Sequence, residues 1–293
     1  MSSTELESRR PDSPESSEPS SKRAKVATPF DDLEISDDSI LDSVTDRSEC
    51  PRCKKSVKYF CYRCFDVVGM ERSQIPKVKL PVRLNVIKHE RELDGKSTAV
   101  HAKVIAKDDV DFYTWGEIPD FEQPERSLLL FPGPDAKQLK DIPRDSYDRI
   151  TVIDGTWRQA SRIVRETPVL HKMQKVTIAP RKTHFWRFQQ LSENHLATIE
   201  AIYYVYREFG EMVEGNYDDG RYDNLLFYYR YFYKMIQHVY RNNDKSFTHR
   251  HRKNYIQYDG DRSQQQKKDE DPKEQKEQEK EQENQDQKAK ASE

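Results

Sequence analysis

The chain has 293 residues, 34% hydrophobic and 35% charged, with a formal net charge of −2. That near-neutral total hides unlike parts: residues 1–49 hold 6 basic and 13 acidic residues, residues 259–293 hold 8 and 12, and the intervening 209 keep 36 and 27, a net +9. The longest purely apolar run is about five residues, Leu128–Pro132, against the ~20 of a membrane span, and the N-terminus lacks an apolar signal segment, so a soluble intracellular protein with reduced cysteines is expected.

Residues 1–49 are rich in Ser, Pro, Asp and Glu and too poor in apolar residues to offset ordering entropy, which predicts a disordered acidic tail. Within it, Lys22-Arg23-Ala24-Lys25 has the form read by nuclear import receptors, and equally that of a chance cluster. All four cysteines follow within fifteen residues, as Cys50, Cys53, Cys61 and Cys64. Two C-x-x-C pairs at this separation bring four thiolates around one tetrahedral ion, and Zn²⁺ suits that ligand set. Disulfides conflict with a reducing compartment, and a redox pair gives no reason to double the motif. The interleaved Lys54, Lys55, Lys58, Tyr59, Tyr62 and Arg63 give this knuckle, residues 50–66, a surface that suits nucleic acid and solubility alike.

Residues 67–258 form the body. Leu80, Val82, Leu84 and Val86 recur at period two, which predicts a half-buried strand. Leu128–Phe131 and Ile150–Ile153 are continuous apolar runs, expected as strands buried on both faces, and Lys175–Ala179 is a fourth candidate. Helices are predicted near 98–107, 135–142, 157–166, 196–209 and 222–242. In the last, Leu225, Tyr229, Phe232, Ile236 and Val239 make a core stripe, so its many aromatics read as packing. Strands alternating with helices indicate an α/β domain with a mostly parallel sheet. Ligands in such sheets bind beyond the carboxyl ends of the strands. From residue 259 the chain is Gln, Lys, Glu and Asp, a low-complexity tail without a core.

Two strand ends carry unusual chemistry. In LLLFPGPDA (128–136), Pro132 and Pro134 stiffen a turn and Gly133 lets the backbone approach a ligand. In TVIDGTWRQA (151–160), Thr156 and Gln159 fit a capping box. That leaves Asp154 at a strand end, a candidate general base or a partner for a cationic ligand group, and Trp157 in the first helical turn. Beyond it, Arg158, Arg162 and Arg165 share one helix face, and Arg181, Lys182, His184, Phe185, Trp186 and Arg187 mix cations with aromatics. The pattern fits phosphates and a stacked base, with a solvated basic face as the plainer reading. His195 reads as a surface or capping histidine.

Asp154-Gly155-Thr156-Trp157 resembles the D-x-T-W signature of the DTW-domain family. LLLFPGPDA, LATIEA (196–201) and the four-cysteine module are similar to that family too, so the resemblance spans about residues 50–240. It implies a fold akin to the knotted, SPOUT-like methyltransferases, with S-adenosylmethionine held in the knotted loops. It implies transfer of a 3-amino-3-carboxypropyl group from that donor to N3 of a uridine in the D-loop of tRNA. Asp154, Thr156 and Trp157 would then be the catalytic motif, and Leu130, Phe131, Pro132, Gly133, Leu191, Thr198 and Glu200 would lie in the donor-binding loops. Arg158, Arg162, Arg165, Arg181, Lys182 and Arg187 would grip tRNA, with the nucleus as the compartment. Two other readings stand beside it: modification of another RNA from the same donor, by methyl transfer or by aminocarboxypropylation of ribosomal RNA, and a zinc-dependent RNA-binding adaptor without catalysis.

Overall fold

The computed structural model describes residues 28–186, 194–215, 217, 219–242 and 256. Lys22–Lys25, Arg187, Leu191 and the tail from 259 lie outside them. The centre is a five-stranded sheet of β3 (Arg83–Lys88), β4 (Val110–Thr114), β5 (Ser127–Leu130), β6 (Arg149–Asp154) and β7 (Gln174–Val176), which follow a two-stranded antiparallel ribbon of β1 (Ser48–Glu49) and β2 (Ser56–Val57). The sheet order is 4-3-6-5-7, and every neighbouring pair is parallel. The helices are α1 (Ala99–Ile105), α2 (Trp157–Glu166), α3 (Thr198–Met212) and α4 (Phe227–Asn242). No helix among the described residues is long and apolar enough to cross a membrane.

The alternation of side chains along β6 explains the layers. Ile150 and Val152 join Leu84, Val86 and Leu128 in a core shared with α1, α3 and α4. Ile153 joins Ile87 and Leu129 on the other side, under Ala160, Ile163 and Val164 of α2, whose spacing makes one helix face. The aromatics of α4 are packing, as predicted: Phe227, Tyr228, Tyr229, Tyr231 and Tyr233 are buried.

Four expectations need correction. The first strand is buried on both faces, not half-buried, because its polar position is satisfied inside the sheet: Asn85 donates to Thr151 Oγ1 at 3.5 Å, and Thr151 pairs with Ser127 Oγ at 2.9 Å. The helix predicted over 135–142 is only a 3-10 turn at Leu139–Asp141, since Lys137 N–H donates to Lys175 O at 3.0 Å and its carbonyl accepts from Thr177 at 2.9 Å. β4 was not predicted; it is a short edge strand, buried fully only at Val110.

The fourth correction concerns the acidic tail. Residues 28–49 pack on the body, with Phe30, Leu41 and Val44 buried. Asp38 pairs with Arg230 at 2.8 Å and with Lys234, both on α4. The Glu34 and Ser36 amides donate to Asp223 (2.7 Å) and Asn224 (2.8 Å). Asp38, which looks like excess charge in composition, is matched by two cations of one helix here.

Candidate active site and cysteine module

Between the carboxyl ends of β5, β6 and β7 lies a cavity of about 350 Å³, within the size range of small-molecule sites. Leu130, Phe131 and Pro132 wall it after β5, Gly155 and Trp157 after β6, and Thr198 at the start of α3. Its position at strand ends is where parallel sheets bind ligands.

Asp154 ends β6 and is 2% exposed. One carboxylate oxygen accepts from Ser97 Oγ and the other from Thr198 Oγ1, both at 2.6 Å. Its carbonyl accepts the His89 amide at 2.9 Å. Burial pushes its carboxyl above the ordinary range, and the two hydroxyls pull the other way. The side chain therefore ties two segments together behind the cavity wall; its neighbours Gly155 and Thr198, not Asp154, line the cavity.

The rest of the motif divides the remaining work. Gly155 has φ +155°, and a Cβ there would stand 3.0 Å from Gln159 Oε1 and 3.3 Å from His89 Cβ. Thr156 is exposed and caps α2: its hydroxyl accepts from Gln159 N–H at 3.3 Å, while its own amide donates to Gln159 Oε1 at 2.7 Å. Trp157 faces the cavity, with His195 edge-on at 5.0 Å and Phe131 at 6.0 Å. His195, read from sequence as a surface or capping residue, is thus a cavity residue. Its signal was its place three residues before Thr198.

The other predicted residues separate. Leu130, Phe131, Pro132 and Thr198 reach the cavity, whereas Gly133 and Glu200 do not. Glu200 is 2% exposed; its carboxylate accepts from Thr183 Oγ1 at 2.5 Å and from the His184 and Ala197 amides at 2.7 Å. Burial raises its carboxyl as well. Arg158, Arg162 and Arg165 are exposed on α2, but Arg162 and Arg165 both pair with Glu166, at 2.9 and 2.8 Å. Lys182 is exposed, while Arg181 lines the cavity. Trp186 lies on Tyr229 at 5.4 Å and Phe30 on His184 at 5.6 Å, so this loop's aromatics are used in packing.

The cysteines converge: all four sulfurs lie within 4.8 Å of one another. Lys54 and Phe65, each directly after a C-x-x-C pair, both have φ +60°. Their amides donate to Cys50 O (3.0 Å) and Cys61 O (2.8 Å), so the two pairs form the same tight turn. Tetrahedral zinc with bonds of ~2.3 Å sets sulfurs about 3.8 Å apart, which the cluster fits. The backbone amide of Cys53 lowers the Cys50 thiol to about 7, while burial pushes Cys64 up to about 12. Four sulfurs converging in this space are the donor set of one bound cation. Phe60 docks the module on the body, against Tyr228 at 4.7 Å and His101 at 5.6 Å.

Residues 58–237 match the DTW domain. The chain belongs to the DTW-domain family. It is 36% identical over 234 residues to tRNA-uridine aminocarboxypropyltransferase 1 of Xenopus tropicalis, covering 65% of this chain and 79% of that protein. The enzymes of the same name from Mus musculus and Homo sapiens are 34% and 32% identical over 245 and 244 residues, each match covering 68% of this chain and 80% of the relative. No solved structure matches the chain significantly. Of the signature residues in this DTW domain, Trp157 walls the cavity, Thr156 caps α2 beside it, and Asp154 ties Thr198 in place from behind the wall.

Proposed function

We propose that this DTW-domain protein transfers the 3-amino-3-carboxypropyl group of S-adenosylmethionine to N3 of a uridine in the D-loop of tRNA. The observation that carries this reading is the apolar, aromatic-walled cavity at the sheet's carboxyl edge, built around the DTW turn. The names of the relatives, tRNA-uridine aminocarboxypropyltransferase, supply the reaction. The cavity suits an adenosyl donor: Trp157 and Phe131 offer ring faces in a predominantly apolar lining. Bound there, the donor would supply a methylene carbon activated by the adjacent sulfonium.

Trp157, Phe131 and Thr198 would orient the reactants, holding N3 in line with that carbon and away from the methyl group. Asp154 acts as a positioning residue. Both its oxygens are occupied by hydroxyls, so it fixes Thr198 and the Gly155 turn from behind. The N3 proton must leave as the N–C bond forms, and a group on the cavity side takes it. Cys50, Cys53, Cys61 and Cys64 would hold structural Zn²⁺. Exposed Arg158 and Lys182 would meet tRNA phosphates. The Lys22–Lys25 cluster supports nuclear residence and a nuclear import receptor as partner.

The test uses purified protein, total tRNA and two batches of S-adenosylmethionine, labelled in the carboxyl carbon or in the methyl. Label reaching tRNA from the carboxyl batch alone is expected. Label from the methyl batch alone makes the protein a methyltransferase and overturns the reading.

A further inference from the structure

Among the described residues lining the cavity, the ionisable side chains are Arg181 and His195, and Arg181 is the one permanent charge. It follows β7, and two side chains one turn apart on α3 fix it. Its guanidinium lies 5.3 Å over the Tyr204 ring and 3.9 Å from the Glu208 carboxylate. Glu208 is 1% exposed and already accepts the Ala179 amide at 2.8 Å. A separation of 3.9 Å is an ion pair without a hydrogen bond, so Glu208 orients the guanidinium and leaves its donors unspent. Arg181 Nε is buried and has no acceptor among the described residues. An oriented cation at a mostly apolar cavity, with no hydrogen bond to its one nearby carboxylate, is the counterpart of a small anion.

We propose that Arg181 binds the α-carboxylate of the donor's aminocarboxypropyl arm, and so determines which adenosyl sulfonium the site accepts. This assignment rests on the function proposed above. The planar fork of Arg matches a carboxylate through two parallel hydrogen bonds, which an ammonium cannot do. The same contact would anchor the end of the arm at β7, favouring attack at the arm's methylene over the methyl group. It also moves Arg181 from the tRNA-gripping set, where its sequence neighbours Lys182 and Arg187 suggested it, to the donor.

The experiment is calorimetric titration of the full-length chain with three ligands: S-adenosylmethionine, its decarboxylated form, and methylthioadenosine, which lacks the arm. Wild type is expected to bind S-adenosylmethionine about 10- to 100-fold tighter than the decarboxylated form, the range of a charge-assisted pair. Arg181→Gln is expected to remove that preference while binding the other two ligands within about two-fold of wild type. Arg181→Lys, which keeps the charge and loses the fork, is expected to fall between. Retained preference in Arg181→Gln overturns the assignment and leaves the proposed function standing. So does equal loss of all three ligands, which marks a merely structural side chain. Unchanged donor selectivity in Arg181→Gln, with weakened and less salt-sensitive binding in a parallel titration with tRNA, returns Arg181 to the RNA. Wild type binding none of the three ligands overturns the proposed function itself, and the assignment with it.

Discussion

Phe30→Ala is expected to cost about 3 kcal/mol of folding stability, the lower end of the range for a buried Phe. Phe30 is 2% exposed. Its ring is edge-on to His184 at 5.6 Å, Tyr229 at 6.1 Å and Tyr233 at 5.3 Å. Truncation removes the transfer free energy of the ring and three aromatic contacts of ~0.5–1.5 kcal/mol each. The loss is capped, because the segment carrying Phe30 can detach once its docking energy is gone. Asp38 then loses Arg230 and Lys234 together. Urea denaturation of the full-length chain measures the loss, and the melting temperature should fall by about 6–12 °C. Detachment adds a second sign: a smaller m-value, since less surface remains to be exposed. Stability within about 1 kcal/mol of wild type at an unchanged m-value would refute the buried position of Phe30. A cycle with Tyr233→Ala should return a coupling near 0.5–1.5 kcal/mol.

Asp154→Asn is expected to keep tRNA affinity and most of the transfer activity, because the two hydroxyls can rotate to serve an amide held in the same place; complete loss of transfer would make Asp154 a participant in the proton transfer. The same variant has a pH signature. The folded-state carboxyl lies above its unfolded value of ~3.9, so wild type loses stability as pH rises from there through the raised value, and Asn does not. Melting curves from pH 4 upward should therefore move in the variant's favour, and a trend in the opposite direction contradicts burial as the dominant cause. Mass spectrometry under native conditions should find one zinc per chain, and Cys61→Ser should abolish it; a metal-free wild type that melts normally would argue against the Zn²⁺ assignment. Thr156→Ala should cost about 1 kcal/mol by removing the α2 cap, read by denaturation. Arg158→Ala should lower the slope of log affinity for tRNA against log salt by about 1, whereas Arg165→Ala, which removes a residue already paired to Glu166, should change it less.

What the sequence made legible follows from how local each signal is. Leu128–Leu130 and Ile150–Ile153 are strands because apolar runs closed by turn residues have few other uses, and the capping box at Thr156 and Gln159 is contained in four residues. Period two failed for β3 because alternation shows polarity and not solvent: Asn85 is polar and buried, served by Thr151 from a strand 66 residues away. Composition failed over 28–49 because it averages. Three apolar anchors and a well-placed Asp38 outweigh their acidic neighbours once α4 supplies the cations. The same limit hid the state of Asp154. Nothing near it in sequence announces Ser97 and Thr198, which arrive from 57 residues before and 44 after.

Those two hydroxyls also connect the cysteine module to the site. The loop from His89 to Ser97 begins and ends on Asp154, by the His89 amide at its carbonyl and the Ser97 hydroxyl at its carboxylate. Inside the loop Lys88, whose side chain is 12% exposed, donates to Glu92 O at 3.0 Å and Asp94 Oδ1 at 2.7 Å. Asp94 is also 3.6 Å from Arg63, the residue between Tyr62 and Cys64 in the second C-x-x-C pair. As an exposed pair this last contact adds little stability alone. Its value is positional, since the turn that presents Arg63 is the one the four sulfurs fix. The cysteine module thus meets the outer side of the same loop whose two feet rest on Asp154, the residue that also receives the Thr198 hydroxyl at the cavity wall.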